Sequence, residues 1–314
     1  MATDRRGPGL RGGVVPRLFV LGGAALWGTT GTTQAFAPAQ ATSASIGAAR
    51  LVLGAVALVL VAAVMRGLAD VRAYAAAGRR GATVAAMAAM AAYQVTFFAG
   101  VARTGVAVGT IVALGSAPVF AGVLGFALQG ERPERRWALA TLLAVVGCAL
   151  LVAGGREAEV EPLGIWLALA AGASYATFAV ASKVLLDTGL RPAGTMAVTF
   201  GGGAILLLPV LVGGDASWVL EPRGLAAAAW LGIATVGLAY LLFATGLRAL
   251  PAATATTLTL AEPLTAGVLG VLLLAERPGP PAAAGVVLVA AGLVLLALRR
   301  PGAGGALPEP PTTR

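Results

Sequence analysis

One carboxylate and one guanidinium stand out in a chain that is otherwise apolar over most of its length. Glu262 lies in the run ALPAATATTLTLAEPLTAGVLGVLLLAERP, Ala249 to Pro278, and Arg50 in the run AARLVLG. If these runs cross a bilayer, each charge costs roughly 2.5–3.5 kcal/mol or more at a helix centre and needs compensation. Glu262 can exchange a proton, hold an amine on a substrate, or take a structural hydrogen bond from a neighbouring helix. Arg50 can clamp a carboxylate or phosphate with its planar fork. It can equally pair with Glu262, or carry its charge out to the interface.

Around these charges the sequence offers polar-tipped and large side chains within apolar runs: Trp27, Tyr93, Gln94, Tyr175 and Tyr240. Aromatic walls with a few polar groups suit a small-molecule pocket. Interhelical packing or an interface belt is the competing reading for each. Pro118 and Pro263 fall inside apolar runs, where a proline removes a backbone donor and crowds the carbonyl four residues back. In lipid the freed carbonyl needs another partner or a cavity, so both are candidate hinges, with a static kink as the alternative. Thr254, Thr256, Thr257 and Thr259 can bond their own backbone and say little about a site. Gly105 and Gly109, and the run Gly201 to Gly203, allow close helix approach without any substrate.

The elements that must position these groups follow from composition. The chain has 314 residues, 58% hydrophobic and only 11% charged, with mean hydropathy +0.89. Soluble domains carry about 25% charged residues, so an all-α integral membrane protein is expected. There is no histidine, which removes the commonest metal ligand, and the single Cys148 excludes an intramolecular disulfide. No metal and no cofactor are expected. The net charge of +9 is read as basic cytoplasmic loops, not as a nucleic-acid surface.

A spanning helix needs about 20 mainly apolar residues. On that ruler ten are expected, near 18–37, 43–65, 82–102, 105–128, 137–154, 163–183, 193–213, 224–246, 252–274 and 281–298. The first follows a basic segment, residues 1–17, and is followed by Ala35-Phe36-Ala37, which resembles a cleavage site. Its length and its threonines favour an uncleaved helix over a signal peptide. The tail, 299–314, is rich in proline and glycine and is expected to be disordered and cytoplasmic. With both ends inside, seventeen Lys and Arg fall on the cytoplasmic side and four on the other. That bias is the positive-inside pattern, with Lys183 marking one cytoplasmic boundary. A multi-pass protein of the cell membrane is expected.

The chain also repeats itself. A shift of 145 positions lays Pro118 on Pro263 and Glu131 on Glu276, and ten of the sixteen positions from Pro118 to Pro133 are identical. Arg103 and Arg248 coincide too, whereas the twin of Glu262 is Ala117. Two units are expected, 18–154 and 163–298. Five helices per unit is an odd number, so the second unit enters the membrane inverted. Inverted repeats are common in secondary transporters, with a site near the midplane between the halves. Glu131-Arg132-Pro133 and Glu276-Arg277-Pro278 read as helix ends at the headgroups.

The runs LGSAPVFAGVLGFALQGERP and LTLAEPLTAGVLGVLLLAERP resemble the paired signature of the EamA family, in the drug/metabolite transporter superfamily. The ALWGTT run at Ala25 to Thr30 and the AARLVLG run around Arg50 resemble the start of that family's first repeat. The resemblance implies ten helices in two inverted five-helix repeats, and the movement of small metabolites, often outward. The expected function is a secondary transporter exporting an amino acid-like or drug-like metabolite, with a proton as a candidate partner. No GxxxxGK[ST] run is present, so no ATPase of its own is expected. A passive channel lacks a visible filter or charge ring. A membrane-embedded enzyme lacks acid–base parts, while a structural or regulatory membrane protein stays open. Oligomeric state is not legible.

Overall fold

The computed structural model describes residues 13–65, 71–152, 161–211, 217–274 and 279–298, and the regular elements among them are all helical. The basic N-terminal segment up to residue 12, the tail and the Glu276 triplet lie outside the described residues. In chain order the helices are α1 (Val14–Gly28), α2 (Thr30–Ala35), α3 (Ser43–Val64), α4 (Val71–Tyr74), α5 (Ala77–Gln129), α6 (Arg135–Val152), α7 (Pro162–Asp187) and α8 (Pro192–Leu211). After a 3-10 turn come α9 (Pro222–Ala229), a π-helical stretch Trp230–Leu238, α10 (Ala239–Leu247), α11 (Ala252–Leu258), α12 (Ala261–Leu274) and α13 (Pro280–Ala297).

Among the described residues, seven helices are long and apolar enough to cross a membrane: Ser45–Val64, Gly78–Gly105, Val108–Gln129, Pro162–Asp187, Pro222–Leu247, Ala252–Leu273 and Pro280–Ala297. Their outer faces carry Val56, Leu60, Val123, Trp166, Ile233 and Leu272, all exposed. A band of exposed apolar side chains is what lipid contact requires, and water would penalise it. The chain is a multi-pass, all-α membrane protein. The first expected span is interrupted: α1 ends after 15 residues, and Thr29 separates it from α2.

Local chemistry explains the joints. Within α5 the backbone turns at Gly105, with φ 78° and ψ 157°, a conformation that a side chain would strain. That one residue divides α5 into two arms, Gly78–Gly105 and Val108–Gln129. The second arm ends at Gly130, φ 68°, where the Glu131 amide donates to the Gly125 carbonyl at 3.2 Å. This glycine cap closes the orphan carbonyls of the last turn.

Small residues set the packing. α7 lies along both arms of α5. A methyl group at Gly172 would fall 2.6 Å from the Ala113 carbonyl oxygen and collide with the Ser116 side chain. One at Gly100 would lie 3.0 Å from the Ala168 nitrogen. α6 and α13 touch in the same way, Gly147 against the Gly285 carbonyl and Gly292 against the Ala140 carbonyl. Lipid offers no hydrophobic drive between helices, so close backbone approach with dispersion contact has to hold them. α1 packs on α10 and α12, and α3 on α8 and the π-helical stretch.

Candidate functional site

The interruption between α11 and α12 has a readable cause. Pro263 has no N–H to give the Thr259 carbonyl and crowds it. The Glu262 amide takes over instead, donating to Thr259 O at 2.9 Å, while the Leu260 amide donates to Thr257 O at 3.1 Å. Both are three-residue turns, tighter than an α-helix allows. Hydroxyls hold the last turn of α11. Thr256 donates to Ala252 O and Ala253 O, Thr257 to Ala253 O, and Thr259 to Thr256 O. Such side-chain bonds compete with the helix ladder.

α6 supplies further partners. The Trp137 indole N–H donates to Ala253 O at 3.1 Å and to Thr257 Oγ1 at 3.0 Å, and Thr141 and Thr257 share a hydrogen bond of 2.9 Å. The Cys148 thiol sits 4.0 Å from the Leu260 carbonyl. These residues are buried or half-buried, so the opened backbone is satisfied by protein, as lipid demands.

Glu262 follows the break directly, in the first turn of α12. It is half-buried, and its carboxylate makes no hydrogen bond or ion pair with a described residue. Arg50, half-buried on α3, also lacks an ion pair, and its Nε is buried without a partner. The two are close enough for their charges to act on each other, yet their charged atoms lie beyond the 4.0 Å of an ion pair. Neither group neutralises the other by contact. Both remain available.

Four of the aromatic candidates do come together. Trp27 packs on Tyr240 with ring centres 4.7 Å apart, and Tyr240 on Phe178 at 5.9 Å. Phe178 meets Tyr175 at 5.8 Å, and Tyr175 meets Tyr93 at 5.6 Å. The chain of rings links α1, α5, α7 and α10. Trp27 Nε1 and the Tyr175 hydroxyl are buried without hydrogen bonds. Thr259 lies beside the Tyr175 hydroxyl with its own hydrogen committed to Thr256 O at 2.7 Å, so toward Tyr175 its oxygen can only accept. An idle indole N–H, an idle guanidinium and an idle carboxylate therefore collect around one aromatic wall. The charges of Arg50 and Glu262 both act on Tyr93 and Tyr240.

The Gln94 side chain, next to Tyr93 on α5, makes no hydrogen bond with a described residue. Pro118 is buried in an arm of α5 that runs on unbroken, unlike Pro263. Phe178, Phe200 and Phe243 complete the wall, with Phe200 only 4.4 Å from Tyr240. A search for polar-tipped residues passes over them, since phenylalanine carries no such tip. Lys183 does more than mark a boundary. It is buried, and its ammonium pairs with Asp187 at 2.5 Å. Among the described residues no three His, Cys, Asp or Glu side chains gather as a metal site would need.

Sequence and fold comparisons relate the whole chain to known proteins. The chain matches the EamA-like transporter family twice, over residues 16–153 and 162–298. It is 43% identical over 284 residues to the uncharacterized transporter YwfM of Bacillus subtilis (strain 168), covering 90% of this chain and 94% of that protein. A protein of known crystal structure superposes with a TM-score of 0.76 at 18% identity, over 89% of this chain and 95% of the other, a likeness of fold.

Proposed function

The chain belongs to the EamA-like transporter family, and we propose that it is a secondary transporter exporting a small organic metabolite, amino acid-like or drug-like, by alternating access. The observation that carries this reading is Glu262: a carboxylate without a protein partner, seated on a broken helix beside the idle Arg50 and the aromatic wall. An ion or substrate group is the natural complement for charges left unpaired at such depth. Discontinuous helices pointing at a midplane site are the usual construction of secondary transporters.

In this reading the chain crosses the cell membrane ten times, as two inverted units of five helices with both termini cytoplasmic. Arg50 takes the anionic group of the substrate. Trp27, Tyr93, Tyr175 and Tyr240 hold its apolar body. Glu262 binds a proton on one side and releases it on the other. Pro118 and Pro263 lend the two units their points of bending.

Proteoliposomes with an imposed pH gradient test the coupling, after a screen of metabolites for a transported solute. Glu262→Gln keeps size and hydrogen bonding but cannot titrate. Flux driven by the gradient should vanish, while exchange at equal solute concentration persists. Full gradient-driven flux in the variant would refute the role of Glu262; loss of both activities would make it a substrate ligand. The inversion has its own test, because Glu134 and Gly279 are twins under the shift of 145 positions and both are exposed. In a Cys148→Ser background, cysteines at the two positions should react with an impermeant reagent from opposite faces. Labelling from the same face would overturn the inverted arrangement.

A further inference from the structure

Where α2, α9 and α12 meet, the helices part and leave an open cleft of about 750 Å³, within the range of ~300–1,000 Å³ typical of small-molecule sites. Neither Glu262, Arg50 nor any ring of the aromatic wall lines it. At Gly28 a methyl group would sit 2.6 Å from Thr265 Cβ and 2.8 Å from the Glu262 carbonyl oxygen, so α1 and α12 touch there. A hydrogen bond of 2.8 Å from the Trp230 indole to Thr29 Oγ1 ties the base of the cleft.

The walls are apolar in effect. Phe36, Ala226, Trp230, Leu269 and Leu273 line them, together with threonines of α2. The threonines offer little polarity: Thr29 donates to Leu26 O at 2.7 Å and Thr33 to Thr29 O at 2.8 Å. The Thr32 hydroxyl is the third of these, and the one charged group is Arg223, exposed at the start of α9, whose side chain has no hydrogen bond or ion pair to any described residue. Arg223 stands seven residues before Trp230, about 10 Å along the helix axis. Beside the cleft, Leu225, Ile233 and Leu272 are exposed, as a lipid-facing surface would be.

A free guanidinium at the rim and an apolar slot beneath it match an anionic amphiphile, charge above and hydrocarbon below. We propose that this cleft holds one acyl chain of an anionic phospholipid whose phosphate is bound by Arg223. A guanidinium fork can take two phosphate oxygens at once. The slot lies on the apolar flank of the bundle, which bilayer lipid reaches without entering the solute path. The assignment does not depend on which solute the protein carries, nor on whether it carries one.

Native mass spectrometry of the purified full chain tests it, with phosphatidylglycerol and phosphatidylcholine of identical acyl chains. One phosphatidylglycerol should bind about fivefold more tightly than phosphatidylcholine, as expected for one arginine against one anionic headgroup. Arg223→Gln should erase the preference and leave the weaker binding. Ala226→Trp, on an exposed wall position, should remove that lipid whatever its headgroup, with thermal stability unchanged in both variants. Equal affinities in the unmodified protein, or a preference that survives Arg223→Gln, would overturn the proposal. So would an undiminished lipid count in Ala226→Trp. Competition by glycerol phosphate as effective as by the whole lipid would also overturn it, making Arg223 a site for free anions.

Discussion

The second arm of α5 and the pair α11–α12 descend from one repeated stretch of sequence, yet one is an unbroken helix and the other is not. Each carries a proline at the same place, Pro118 and Pro263. Proline alone therefore does not break a helix here. The difference lies in the preceding turns. Where the second copy has Thr256, Thr257 and Thr259, the first has Ile111, Val112 and Leu114, which offer no hydroxyl to the backbone. The second copy also receives Trp137 and Thr141 from α6, while the first lies against α7 with Gly172 pressed onto the Ala113 carbonyl. A break persists in lipid only where other donors take up the freed carbonyls. Having such donors, the second copy can also place a carboxylate at Glu262, where the first has the buried Ala117.

The strongest way to break this comparison is to give the first copy the charge of the second. Ala117 is 2% exposed in a continuous helix, so Ala117→Glu should destabilise by about 3 kcal/mol or more. Thermal unfolding in detergent measures it, and a normal melting temperature would mean that the break is not what permits the charge. Next comes packing. Gly172→Val forces the contact between α7 and α5 apart and should cost about 1–3 kcal/mol. Gly31→Ala, in α2 with nothing within 4 Å of the added methyl, should change stability by less than about 0.5 kcal/mol. Similar losses at both positions would show that the backbone contact at Gly172 does not set its cost.

Trp137→Phe sharpens the role of the external donors. It removes the indole N–H that serves Ala253 O and Thr257 Oγ1 and should cost about 1 kcal/mol. Amide exchange should rise in α11 and not in the second arm of α5. The smallest effect concerns Glu131, at the end of the first copy and outside the spans. Burial pushes its carboxyl above the usual glutamate range, against the pull of Lys183 and with the push of Asp187. A raised value in the folded state favours the protonated form. Its stabilising contribution is present below the ordinary glutamate range and is lost as pH rises through the raised value. Glu131→Gln should therefore flatten stability against pH in that window and raise the melting temperature slightly at neutral pH. An unchanged pH profile would show that the Glu131 oxygen buried without a partner is relieved in some other way.

Much of the architecture was legible because it rests on counts. Hydropathy placed helices correctly in α3, α7 and α13, since a stretch near the bilayer thickness must be helical to satisfy its own backbone. The joint in α5 was legible in its position, since hydropathy separates 82–102 from 105–128, but not in its cause: Gly105 reads as half of a small-residue pair for close packing, whereas the backbone uses it for its positive φ. The split of the first span at Thr29 was missed as well, because hydropathy averages over an interruption one residue wide. For the candidate site, residue type pointed to Glu262, Arg50, Trp27, Tyr93, Gln94, Tyr175 and Tyr240, but gave no sign that the four aromatics join one chain of rings through Phe178.

What the sequence by itself determined is membrane residence, the duplication, and which few side chains are too polar for their surroundings. Each is a property of local composition or of self-comparison, and neither needs distances across the chain. Tertiary structure alone decided that Arg50 and Glu262 come within reach of each other's charge without pairing. It also decided that Trp137, more than a hundred residues away, holds the broken turn before Glu262. Those outcomes depend on how helices remote in sequence cross. Crossings in lipid are set by where small residues let backbones touch, as at Gly172 and Gly28. A glycine in the sequence announces that a close contact is possible; only the folded chain says with which helix it is made.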